Sequence, residues 1–246
     1  MKWAIYPCKY IRINPLDYIS PDFAKSPRKA KRDENCFLTK DIIDLFFKEY
    51  PEYDPIGLAA RISYWTALRE GEVCGLTWDS VDLDKRVIYV ENTICRNPYK
   101  NFGWEFTRPK TPASIAPVTF SSKLEHVLRH KKELQDIRRS ENLYLKYHIE
   151  EGLVSLAGNE KETLPFVCTD TFGRFLKPSQ VILECNKFSK KYATHLNFHM
   201  FRHTHATYLH EKGIDIKEIQ HRLRHKNAST TINIYTHSTR ALQAEA

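Results

Sequence analysis

The chain has 246 residues, of which 41% are apolar, 12% aromatic and 28% charged. This is a globular composition, long enough to bury a core without a disulfide or metal staple. Against 30 Asp+Glu stand 38 Lys+Arg, a net charge of +8 that points to a polyanionic partner, most commonly nucleic acid. No stretch approaches the ~18 uninterrupted apolar residues of a transmembrane helix. Lys9, Arg12 and Asp17 stand where a signal peptide would be apolar, so a cytoplasmic location is expected. Cys8, Cys36, Cys74, Cys95, Cys168 and Cys185 form no CxxC pair, which argues for reduced thiols rather than disulfides or a zinc knuckle. Neither GxxxxGK[ST] nor GxGxxG occurs, so nucleotide-driven chemistry has no support.

Residues 1–24 are interrupted by Pro15 and Pro21, and residues 25–34 (KSPRKAKRDE) read as a basic, solvated linker. A domain begins at Cys36: residues 1–35 form an extension and residues 36–246 the main domain. Thr39 is placed to cap a helix using Ile42, Ile43, Leu45, Phe46 and Phe47. Residues 57–69 predict a second helix, with Leu58, Ile62, Trp65 and Leu68 near helical spacing. Residues 86–95 (RVIYVENTIC), 104–108 and 114–120 predict three short strands, with turn chemistry at Asn97, Pro98 and residues 110–112. Ser122 with Glu125 predicts a capping box, then a helix with Leu124, Val127, Leu128, Leu134 and Ile137 facing inward. Residues 143–162 show no period, 165–168 suggest a short strand, and 178–192 read as helix. Gly213 ends a further helix, and Asp215 with Glu218 caps the next. The expected fold is mainly α with a small antiparallel β-sheet (α+β).

The densest run of ionisable residues is His199-Met-Phe-Arg202-His203-Thr-His205 at a helix start whose apolar face is Met200, Phe201, Ala206 and Leu209. His199 and Arg202 share a face at three-residue spacing, and a helix N-terminus already favours anions. Arginine there suits a phosphate. His199 and His203 form an i, i+4 pair, but no third ligand lies at zinc spacing.

HMFRHTHATYLHEKGIDIKEIQHRLRHKNASTTINIYTH resembles the C-terminal signature of the tyrosine recombinase, or phage integrase, family. That signature is His-x-x-Arg, a histidine after a tight turn, and a tyrosine about ten residues on. Those positions are His199, Arg202, His225 and Tyr235. TALREGEVCGLTWDSVDLD resembles the first arginine motif and gives Arg69, with Glu72 in a structural role. RPKTPASIAPVTF resembles the hairpin that carries the lysine, Lys110, with Lys100 nearby as the competing choice. The resemblance implies the tyrosine recombinase catalytic-domain fold and a site-specific DNA recombinase needing no cofactor, metal or ATP.

It also implies roles. Tyr235 attacks the scissile phosphate to form a 3′-phosphotyrosyl link; Arg69 and Arg202 bind the non-bridging oxygens. Lys110 protonates the leaving 5′-oxygen, His225 hydrogen-bonds the transition state, and His199 acts as general base or phosphate ligand. The residue types suit this work on chemical grounds. Guanidinium forks match phosphate oxygens, and a phenol of pKa about 10 needs help with its proton. A type IB topoisomerase-like enzyme and a non-catalytic DNA-binding remnant are the alternative readings, and covalent adduct formation separates the remnant from both enzymes.

Three departures stand out. Arg224 replaces the family's usual glycine, implying either a reshaped turn or an added phosphate contact. Ala116 stands where relatives often have a basic residue. Residues 1–24 resemble only the last helix of a core-binding domain. The expected partners are double-stranded DNA, further copies in a tetrameric synapse formed on DNA from free monomers, and accessory DNA-bending proteins. Ala241, Leu242 and Ala244 would anchor a neighbouring copy.

Overall fold

The computed structural model describes residues 37–99, 103–108, 116–141, 144–158 and 163–224. Helix α1 (Lys40–Glu49) starts after Thr39, whose side chain makes no capping bond. Helix α2 (Pro55–Thr66) begins earlier than the apolar spacing predicts. Asp54 supplies the cap, accepting from the Ile56 and Gly57 amides, and Pro55 needs no donor partner at that position. The helix also ends earlier, at Ala67 in the left-handed region (φ 59°). Arg69 therefore lies outside α2, at the N-cap of the short helix α3 (Glu70–Cys74).

The chain then runs through a 3₁₀ turn (Trp78–Ser80) into β1 (Val81–Asp82), β2 (Val87–Tyr89) and β3 (Thr93–Arg96). The predicted strand over 86–95 is thus two strands in different sheets. β2 pairs antiparallel with β1 and with β5 (Pro117–Thr119). β3 pairs with β4 (Trp104–Thr107), which continues to a hairpin of β6 (Tyr147–Glu150) and β7 (Leu153–Leu156), in the order β3-β4-β7-β6. That hairpin occupies the stretch without sequence period. Residues 165–168 make an isolated bridge, Thr77 to Phe166, rather than a strand. Gly71 lets α3 press on β3: a Cβ there would sit 2.6 Å from Thr93 Oγ1 and 2.8 Å from the Ile94 carbonyl oxygen.

Helix α4 (Ser122–Ser140) corrects two expectations. Ser122 is the first helical residue rather than the cap, and Glu125 pairs with Arg86 and Arg129 instead of closing a box. Leu134 and Ile137 are exposed, while Lys131 and Gln135 are buried. Gln135 accepts from the Trp78 indole at 2.6 Å and donates to the Val167 carbonyl (3.0 Å) and Thr169 Oγ1 (2.6 Å). Lys131 Nζ donates to the Thr169 carbonyl at 2.8 Å. A polar seam thus fixes α4 to the 166–169 segment. Gln135→Leu is expected to lower stability by ~2–3 kcal/mol in urea denaturation, because Trp78 and Val167 lose buried partners. An unchanged midpoint would contradict this.

Helices α5 (Pro178–Lys191), α6 (His199–Glu211) and α7 (Ile216–Leu223) complete the described fold. The main core gathers Phe46, Leu58, Ile62, Val73, Ile88, Leu124, Leu128, Phe188 and Phe201 from α1 through α6. A smaller cluster of Ala67, Ala206, Ile219 and Leu223 packs the end of α2 against α6 and α7. Gly213 (φ 77°) follows α6, and the Asp215 carboxylate accepts from the Lys217 amide to start α7. Among the described residues, no helix is long and apolar enough to cross a membrane.

Candidate active site

Two arginines from distant parts of the chain, Arg69 and Arg224, meet on one carboxylate, with a third, Arg202, nearby. Arg69 donates its backbone N–H to Glu72 Oε2 and its Nη1 to Glu72 Oε1, each at 2.8 Å. Glu72 is buried, whereas the Arg69 side chain keeps about a third of its surface in solvent. This is half a capping box: the third residue of α3 reaches back to satisfy the helix's open amide end. One guanidinium edge stays available for an anion.

Arg202, in the first turn of α6, is the largest fully buried side chain among the described residues. Its Nη1 donates to the Ala67 carbonyl and its Nη2 to the Leu223 carbonyl, the C-terminal ends of α2 and α7. Two helix C-termini thus direct their partial negative charge at one guanidinium, which makes a buried cation tolerable. Burial still pushes the Arg202 pKa down to about 9, and repulsion from Arg69 and Arg224 adds to this. Its Nε has no partner among the described residues.

Arg224 caps α7 in the left-handed conformation (φ 53°, ψ 45°). The turn keeps the backbone geometry expected of glycine, so it is not reshaped. The side chain points inward and not to solvent: Nη2 donates to Glu72 Oε2 at 2.6 Å with 1% of the side chain exposed. The Arg224 carbonyl accepts from Arg69 Nη2 at 3.3 Å. Arg69 and Arg202 therefore reach consecutive carbonyls, Arg224 and Leu223, at the end of α7. Two guanidinium groups bond one carboxylate and that of Arg202 lies near enough to feel all three charges, an excess of two positive charges that favours a bound anion.

The histidines divide. His199 is exposed at the start of α6, unlike the buried Arg202, and its ring stands 4.5 Å from His203, nearly perpendicular. His205 is structural: Nδ1–H donates to the Tyr64 carbonyl at 2.8 Å, so Nε2 accepts from Arg222 Nε at 2.9 Å. Arg222 also donates to the carbonyls of Thr119 (2.9 Å) and Trp65 (3.3 Å), tying α7 to β5 and α2. Burial, then the neighbouring arginine charge, holds both His203 and His205 down to about 4.

That depression has a defined sign. A folded-state pKa below the unfolded ~6.5 means that the unfolded chain takes the proton first. Stability from His205 is complete above pH ~6.5 and falls as pH drops toward about 4, by ~3 kcal/mol at most. Urea midpoints measured from pH 7.5 to 4.5 are expected to show this fall. An equally steep fall in His205→Asn would contradict the assignment to His205.

Of the six residues expected to carry chemistry, Arg69 and Arg202 converge, and His199 lies in the same turn as Arg202. Lys110, His225 and Tyr235 lie outside the described residues, as does residue 241 onward of the expected anchor. Arg224, the residue before His225, is the participant whose inward turn the motif did not reveal. Its replacement of glycine was the available signal. Among the described residues, no group of three or more His, Cys, Asp or Glu side chains could hold a metal ion.

The fold is that of the integrase and recombinase catalytic domains. The integrase of the Tn1549 transposon, solved in complex with circular intermediate DNA, superimposes with a TM-score of 0.65 at 21% identity. The match covers 100% of this chain and 77% of that one. The XerA recombinase gives a TM-score of 0.54 at 19% identity, covering 80% and 59%. Residues 38–241 match the model of the Phage integrase family, and the chain belongs to that family. A tyrosine recombinase XerC-like protein of Caldanaerobacter subterraneus subsp. tengcongensis is 32% identical over 186 residues, 72% of this chain and 44% of that protein. The ICEBs1 integrase of Bacillus subtilis is 31% identical over 181 residues, 72% of this chain and 43% of that protein. The chain thus spans somewhat under half the length of these two relatives.

Proposed function

We propose that this chain is the catalytic part of a site-specific recombinase that cleaves and rejoins double-stranded DNA through a 3′-phosphotyrosyl intermediate. The observation that supports it best is the convergence of Arg69 and Arg202 on the last turn of α7, one residue before His225. Their guanidinium groups would hold the two non-bridging oxygens of the scissile phosphate and stabilise the charge of the pentacovalent transition state, an effect worth ~3 kcal/mol or more per donor. The Tyr235 hydroxyl attacks phosphorus while the bond to the 5′-oxygen breaks. Its proton passes to His199, and Lys110 gives a proton to the departing 5′-oxygen. His225 hydrogen-bonds the phosphate. The phosphotyrosyl ester keeps the bond energy, so the reverse attack by a 5′-hydroxyl reseals the strand.

In this reading residues 36–246 form the catalytic domain, and residues 1–35, which lie outside the described residues, are an N-terminal extension and basic linker related to a core-binding domain. Transposon integrases of the same fold are described in complex with transposon DNA, which supports a duplex partner here. Recombination would bring four copies together on two duplexes. The test is a nicked suicide substrate from the ends flanking the native gene, incubated in EDTA without ATP. An SDS-resistant protein–DNA band is the expected result. Retained DNA binding with no band would support a non-catalytic binding remnant instead.

A further inference from the structure

Arg224 occupies a conformation that disfavours any residue with a Cβ, yet its side chain is buried. Both ends of the residue are engaged. Its guanidinium holds Glu72 Oε2 and its carbonyl holds Arg69 Nη2, while Glu72 Oε1 holds Arg69 Nη1. These three contacts close a ring: Arg69 to Glu72, Glu72 to Arg224, Arg224 back to Arg69. Two nitrogens of the Arg69 fork are thereby fixed, which sets the plane of the guanidinium. The same residue is where the chain leaves α7 toward His225.

We infer that Arg224 is a positioning residue that presets Arg69 through Glu72, an inference that rests on the strand-transfer reading for its effect on rate. The ring itself does not depend on that reading. A glycine at this position would adopt the same turn with less strain, but it would leave Glu72 to Arg69 alone and would lack the guanidinium that closes the ring. A direct phosphate ligand is the competing role. The inward side chain and its bond to Glu72 argue for positioning, and affinity measurements tell the two apart.

The experiment uses the full chain as wild type, Arg224→Gly and Arg224→Lys. Arginine-labelled ¹⁵N spectra read the guanidinium of Arg69, assigned with Arg69→Lys. The wild type is expected to show slowed rotation about the Arg69 Nε–Cζ bond, and Arg224→Gly, which keeps the carbonyl contact but frees Glu72 Oε2 from its second guanidinium, to speed it. In single-turnover cleavage of the suicide substrate at saturating protein, Arg224→Gly is expected to lose about tenfold in rate while DNA affinity stays unchanged, as for a misaligned rather than a missing contact. Arg224→Lys, which keeps a cation near Glu72, is expected to recover part of that loss. Arg224→Gly with wild-type Arg69 signals and wild-type rate would overturn the inference. So would a fall in DNA affinity at unchanged rate, which marks a phosphate ligand, or loss of the fold in both variants. If the wild type itself forms no adduct, the strand-transfer reading fails, and the spectra alone decide whether Arg224 pins Arg69.

Discussion

Tyr235→Phe is expected to abolish the covalent protein–DNA adduct while leaving DNA affinity within about twofold of wild type. The substitution removes one oxygen and keeps the ring and the charge, while the proposed nucleophile is lost. No partial activity is expected, because a phenyl ring has no oxygen with which to form the ester. Three tyrosines of the described fold, Tyr192, Tyr144 and Tyr208, are placed differently. The Tyr192 hydroxyl donates to Glu49 Oε2 at 2.9 Å. That of Tyr144 is engaged with Thr169, and burial pushes its pKa up, which makes it a poorer nucleophile. Tyr208 is half-exposed on α6. A Tyr235→Phe protein that still gave an SDS-resistant band would place the nucleophile elsewhere.

The second large effect is expected at Arg202. Arg202→Lys keeps a positive charge but lacks the fork that reaches the Ala67 and Leu223 carbonyls together. Cleavage is expected to fall ~10²–10³-fold, the loss typical of one preorganised transition-state donor. Stability should change less. Removing the guanidinium leaves two buried carbonyls short of a donor, which costs ~1–3 kcal/mol for each unsatisfied group. Against that, removing the charge, which Arg202→Met does and Arg202→Lys does not, relieves a strained charge balance: burial and two neighbouring arginines already push Arg202 down to about 9. Arg202→Met, which removes the charge altogether, is therefore expected to fold and to lose cleavage as fully as Arg202→Lys. Thermal midpoints measured beside single-turnover rates separate the two effects. A variant that melts far earlier yet cleaves at the wild-type rate would make Arg202 a structural residue.

The excess positive charge has a further consequence. In the proposed reading, a phosphate diester at the cluster would offset this repulsion and stabilise the folded chain through linkage.

The sequence carried the Arg69–Glu72 relation openly, because residues three apart at a helix start meet by local geometry. It carried Arg202 as part of a motif but not its surroundings. The carbonyl of Ala67 lies far away along the chain and is presented by a helix end that no apolar period marks. Leu134 and Ile137 show the limit of counting apolar residues. The buried face of α4 is set by Trp78 and Thr169, which need polar partners, so Gln135 and Lys131 go inside. The strand over 86–95 broke because β2 and β3 serve different sheets, a choice made by their partners β5 and β4 rather than by their own composition. The β6–β7 hairpin was illegible for a similar reason: His148, Glu150 and Ser155 sit among its apolar residues and blur the alternation. Arg224 could be flagged from its place in the turn, but its direction depends on Glu72, which only the folded chain brings beside it.

The measurement that bears most directly on strand transfer is the identity of the linked residue. Adduct formed on a suicide substrate would be digested with protease and nuclease and the nucleotide-bearing peptide sequenced by mass spectrometry. A single nucleotide 3′-phosphate on Tyr235 is the expected result. A nucleotide on any other side chain, or no modified peptide from chain that binds the duplex, would contradict it.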